Sequence, residues 1–131
     1  MVPSRAQPVY DDSQPDGKVV FRLRSSRIGD AVVVEVAGEV DMATAPELAR
    51  AIDAGLDGAG RVVVDLSEAT FLDSSALNTL VHCQRGLAEE GVAFSVVSPS
   101  GRVLRKVFEI TRLTEPLSVV ESVEEALGPD G

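Results

Sequence analysis

The chain has 131 residues, 44% of them apolar and only 4% aromatic, which suits one domain whose core is packed by Val, Leu, Ile and Ala. Twelve basic against 21 acidic residues leave a formal charge of −9, which repels nucleic acid and anionic lipid and sets aside a DNA-binding role. A single cysteine, Cys83, excludes an intrachain disulfide; with the lone His82 it makes no metal site, and no apolar run reaches the ~18 residues of a membrane span, so a cytoplasmic protein without cofactor is expected.

Residues 1–17 hold three prolines and no hydrophobic period, which reads as a disordered tail ahead of a domain over 18–131. Val19 to Arg24 ends in apolar/polar alternation, the pattern of a strand with one wet face. Turn chemistry at Ser26-Arg27-Ile28-Gly29-Asp30 leads to a second strand, Ala31 to Val36, so the two are expected to form an antiparallel hairpin. After Gly38-Glu39-Val40-Asp41, Thr44 and Glu47 have capping-box spacing and Pro46 falls in the first turn of a helix. Leu48, Ile52 and Leu56 give that helix an apolar stripe, and Gly55, Gly58 and Gly60 end it.

Val62, Val63, Val64 and Leu66 form a β-branched run without strict alternation, as in a strand covered on both faces. A short loop follows. Asp73, Ser74 and Ser75 then open a helix that carries Leu77, Leu80, Val81 and Leu87 on one side and ends near Gly91. Val92 to Val97 is another inner strand, and Ser98-Pro99 is read as the start of a helix with Val103, Leu104, Val107 and Phe108 on its apolar side. Leu117 to Val120 is a short strand, and Ser122 with Glu125 is a second capping box before a last helix that stops at Gly128. The order is β-β-α-β-α-β-α-β-α. It predicts an α/β domain with a mixed sheet, an N-terminal antiparallel hairpin followed by parallel strands, flanked by about four helices.

Three kinds of chemistry compete for the serines at the helix start. As a hydrolase, Ser74 would need a base within ~3 Å, but His82 lies eight residues along the same helix, roughly 12 Å up its axis, and no Gly-x-Ser-x-Gly elbow is present. Nucleotide binding fails as well: the glycine-rich segment 55–60 follows a helix and precedes a strand, the reverse of a phosphate-cradling loop. Asp41, Asp65, Glu68 and Asp73 are candidates to gather near one sheet edge, but no base or metal cluster accompanies them. What the residues leave open is a helix cap or a modification point. A phosphate on such a serine brings about −1.5 to −2 charges to a small exposed spot already bearing Asp73.

Gly38-Glu39-Val40-Asp41 with Thr44-Ala45, and Asp65-Leu66-Ser67 running to Phe71-Leu72-Asp73-Ser74-Ser75-Ala76-Leu77, resemble the anti-sigma factor antagonists, the single-domain members of the STAS family. Ser98-Pro99, Val103-Leu104-Lys106-Val107-Phe108 and Thr111-Arg112-Leu113 are similar to that family's third-helix segment, and the resemblance runs from about Val19 to Leu127. It implies a switch protein rather than an enzyme. Such an antagonist binds an anti-sigma factor that is also a serine kinase of the histidine-kinase-like ATPase fold, and binding frees the sigma factor. The kinase phosphorylates the first serine of Asp-Ser-Ser, here Ser74, and a PP2C-type phosphatase reverses it. The implied docking surface comprises Glu39, Asp41, Thr44, Asp73, Ser74, Ser75 and Ala76, the last standing where the family usually has glycine. The alternative within the same resemblance is a STAS scaffold in a stress-signalling or lipid-transport assembly without a serine switch.

Overall fold

Alternating burial along the valine-rich strands sets the architecture. In the computed structural model, which describes residues 5–10 and 19–128, Val32, Val34 and Val36 of one strand and Val62, Val64 and Leu66 of its neighbour point into one large core. Val33 and Val63 point the other way, into a smaller one with Val97 and Ala126. At these valines both faces are covered, which is why the sequence shows continuous valines where a half-exposed strand would alternate.

The elements are β1 (Arg5–Tyr10), β2 (Val19–Ile28), β3 (Ala31–Val40), α1 (Ala45–Gly55), β4 (Arg61–Leu72), α2 (Ser74–Glu89), β5 (Ala93–Val97), α3 (Val103–Ile110), β6 (Val119–Val120) and α4 (Val123–Leu127). The sheet runs β1-β2-β3-β4-β5-β6 in sequence order. β1, β2 and β3 are antiparallel, and β3 to β6 are parallel. The expected mixed sheet with four helices is therefore the observed fold. Helices α1 to α3 contribute Leu48, Ile52, Leu80, Leu87, Leu104 and Phe108 to the large core, and α4 closes the smaller one. Each fully buried Val, Leu, Ile or Phe contributes about 1.5–3 kcal/mol relative to exposure, so these faces carry most of the driving force. Gly29, at φ 59°, makes the β2–β3 turn possible, and the Asp30 carboxylate accepts the Gly60 N–H at 3.1 Å.

Several boundaries differ from the sequence expectation: β2 runs to Ile28 and β3 to Val40, past the expected ends at Arg24 and Val36, because each keeps its ladder partners, and β6 is confined to Val119–Val120. Within residues 1–17, expected to be a disordered tail, Arg5–Tyr10 pairs with β2 as an edge strand; an edge tolerates Pro8, which has no N–H to give a ladder. The rest of that stretch lies outside the described residues. β4 continues to Leu72, where a loop was expected after Leu66, because its pairing with β3 survives two register shifts and resumes at Glu39↔Phe71 and Val40↔Leu72. β5 starts at Ala93, and Val92 precedes it. α3 starts at Val103, and Ser98-Pro99 lies in the connection before it.

That connection is tied to the β6–α4 turn by a polar node. Glu121 accepts from the Ser100 N–H (3.0 Å) and hydroxyl (2.8 Å), and its second oxygen accepts from Arg105 at 2.8 Å, while Arg105 also donates to the Ser98 carbonyl at 2.7 Å. The Ser100 hydrogen bonds, and then the Arg105 charge, hold the Glu121 carboxyl below its usual pKa. A carboxyl lowered in the folded state stabilises the protein above its unfolded pKa, and the contribution disappears as pH falls through the lowered value. The advantage of the parent over Glu121→Gln in urea midpoint should therefore be full at pH 7 and shrink progressively as pH falls below the usual carboxylate range; a difference that persists unchanged in acid would show that the carboxylate charge is irrelevant to the node.

Candidate functional site

The parallel pairing of β3 and β4 makes both strands end at the same edge, the place where α/β sheets carry their sites. Val40 and Leu72 are paired, and the Asp73 N–H donates to the Val40 carbonyl at 3.2 Å. The β3–α1 loop and the first turn of α2 are thereby held side by side, although more than thirty positions separate them in the chain. Glu39, Asp41 and Thr44 on one side and Asp73, Ser74 and Ser75 on the other form a single surface.

Each half is fixed by an aspartate. Asp41 Oδ1 accepts from the N–H groups of Ala43 (2.9 Å) and Thr44 (3.1 Å), and Thr44 Oγ1 accepts from the Asp41 N–H at 2.9 Å. These bonds fold the loop on itself. Thr44 thus serves the turn before the helix, and the expected capping box is absent: Thr44 makes no side-chain cap bond and Glu47 pairs with Arg50. At α2, Asp73 is the N-cap and its Oδ1 accepts from the Ala76 N–H at 3.0 Å. Asp73 has the extended backbone of an N-cap, so the capping role falls to it and neither Ser74 nor Ser75 is the cap. Among the described residues, neither serine side chain is hydrogen-bonded. Ser74 is exposed at the first helical position, and Ser75 is half-buried behind it.

Ala76 departs from the expectation of a contact residue. Its side chain is fully buried in the large core, so it is withdrawn from this surface. Two exposed apolar residues that sequence reasoning missed lie in the same segments. Met42, in the β3–α1 loop, is 75% exposed, and Phe71, paired with Glu39 at the end of β4, is 47% exposed. The available signal was an apolar side chain next to a buried one, Met42 after Val40 and Phe71 before Leu72, in a segment with no second core to receive it.

The other candidate groups are elsewhere. Asp41 and Asp73 meet at the edge, but Asp65 and Glu68 lie further back along β4 beside Arg22 and Arg24, and Asp65 is engaged by Ser67. His82 and Ser74 share α2 at the spacing that separates them along its axis, so they form no dyad within the chain. Cys83 is half-buried against the core; burial, and then the Asp53 charge, push its thiol up to about 11, which keeps it protonated and unreactive at neutral pH.

Sequence and structure comparisons agree with this architecture. Residues 23–121 match a family model described as "Mlab, STAS domain". The chain is 31% identical over 91 residues to an anti-sigma-B factor antagonist of Listeria monocytogenes, covering 69% of this chain and 79% of that protein. It is 32% identical over 92 residues to the anti-sigma-B factor antagonist of Staphylococcus aureus, covering 70% and 84%. A crystal structure of an anti-sigma factor antagonist from Mycobacterium paratuberculosis superposes with a TM-score of 0.73 at 30% identity, over 87% of this chain and 94% of that one.

Removing the cap separates its structural part from its charge. Asp73→Ala is expected to lower stability by about 1 kcal/mol and Asp73→Asn by much less, since asparagine keeps the acceptor. Thermal unfolding of the three proteins at neutral pH measures this, and equal losses in both variants would mean that charge rather than the cap bond matters.

Proposed function

The chain belongs to the STAS domain family of anti-sigma factor antagonists, and on that premise we propose that it is a partner-switching protein controlled by phosphorylation of Ser74. The observation that carries this reading is the division of labour at the start of α2. Asp73 supplies the cap, which leaves the exposed Ser74 hydroxyl without a structural task among the described residues.

Ser74 accepts the phosphate, and Ser75 is its half-buried neighbour. The partner is an anti-sigma factor serine kinase of the histidine-kinase-like ATPase fold, which docks on Glu39, Asp41, Met42, Phe71, Asp73 and Ser74. The phosphate is removed by a PP2C-type phosphatase. Met42 and Phe71 supply the apolar anchors, and the carboxylates around them form a polar rim suited to basic groups on the partner.

Phosphorylation acts through charge. The N-terminal end of α2 tolerates an anion, because its first N–H groups and its dipole point toward the added group. The domain therefore keeps its fold. A partner that buried this spot, however, would enclose a dianion next to Asp73 and lose affinity. Release follows without any rearrangement of the core. In the unmodified state the antagonist occupies the anti-sigma factor and the sigma factor is free.

With purified cognate kinase, ATP and magnesium, the parent and Ser75→Ala should each take up one phosphate, and Ser74→Ala none. Ser74→Glu should weaken binding to the kinase at least about tenfold, equivalent to ~1.4 kcal/mol, and Phe71→Ala by a similar factor while leaving the folded state intact. Phosphosite mapping and isothermal titration decide it. Full phosphorylation of Ser74→Ala would displace the acceptor, and equal affinities of the parent, Ser74→Ala and Ser74→Glu would favour the scaffold reading without a switch.

A further inference from the structure

The face of the sheet opposite α1 and α2 is only partly covered. α4 closes over Val33, Val63 and Val97, and among the described residues no helix packs on the half made by β2, β3 and the middle of β4. On β2, Arg22 and Arg24 alternate with the buried Phe21 and Leu23 and so occupy this open face. The register places Arg24, Glu35 and Asp65 in one row and Arg22, Ala37 and Glu68 in the next. These residues line a shallow concavity of about 140 Å³.

The charges are segregated by strand, positive on β2 and negative on β3 and β4. Arg24 and Glu35 are direct cross-strand neighbours, yet among the described residues none of these five charged groups takes part in an ion pair. Such a pattern is complementary to itself. A two-fold axis parallel to the strands, above β3, sets Arg24 of one copy over Asp65 of the other and Arg22 over Glu68, and the reverse, with the two Ala37 and the two Glu35 side chains meeting at the axis.

We propose that this sheet face is a docking surface for a second copy of the chain, forming an isologous dimer held by these arginine–carboxylate pairs. The patch is polar, with the half-buried Ala37 as its apolar centre, so the association is reversible and salt-sensitive rather than obligate. A pair joined in this way leaves α2, on the other side of the sheet, open in both copies. Ser74 stays accessible, and the inference does not depend on the function assigned to that serine.

Sedimentation velocity of the full chain over a concentration series, at about 50 mM and about 500 mM salt, tests the proposal. Dimer is expected at high concentration and low salt, with a dissociation constant at least about tenfold higher at high salt. The double variants Arg22→Glu/Arg24→Glu and Glu35→Lys/Glu68→Lys should each be monomeric, because each face then repels its own copy, and an equimolar mixture should associate as a heterodimer. Recovery in the mixture also shows that both variants are folded. A parent that stays monomeric throughout, a dimer indifferent to both double variants, or a mixture that fails to associate would each overturn it.

Discussion

The parallel ladder between β3 and β4 is the constraint on which the rest depends. It carries the buried valines that divide the two cores, and it ends in the hydrogen bond from Asp73 to the Val40 carbonyl. Because parallel strands finish at the same edge, the loop after β3 and the helix after β4 have no choice but to meet. Without that pairing, Asp41 and Ser74 would be two unrelated polar positions. With it, they belong to one surface.

The rest of the sheet makes this edge rigid. α1 and α2 are anchored by Leu48, Ile52, Leu80 and Leu87, all buried, so the start of each helix is fixed relative to the strand before it. The two aspartates then complete the geometry locally, Asp41 by folding its loop and Asp73 by capping its helix. Both satisfy backbone N–H groups that would otherwise be unpaired at a helix or loop start. A consequence is that, among the described residues, the Ser74 hydroxyl carries no hydrogen bond of the fold. Family membership and this spare hydroxyl support the same reading from different directions.

The two faces of the sheet differ in chemistry. The α1–α3 side is closed by aliphatic packing, and α4 closes only part of the other side. The open remainder carries charge sorted by strand, which a monomer has no evident need for. Cys83 and His82 lie on α2 away from both surfaces' chemistry, and burial, then the Asp53 charge, raise the thiol pKa of Cys83.

The sequence by itself determined the order of elements after Val19, the two-sided burial of the valine strands and the position of a serine pair at a helix start, because these follow from local periodicity and from residues with strong positional preferences. Family resemblance pointed to Ser74 within that pair. Tertiary structure decided the rest. β4 runs six residues further than its apolar pattern, since a neighbouring strand supplies ladder partners that no local signal records. β1 exists as an edge strand for the same reason. Capping-box spacing at Thr44 and Glu47 yielded to the Asp41 turn, because several residues compete for the same N–H groups and only the folded loop selects among them. Ala76 went into the core while Met42 and Phe71 stayed out, since which side of a chain faces solvent depends on what packs against it.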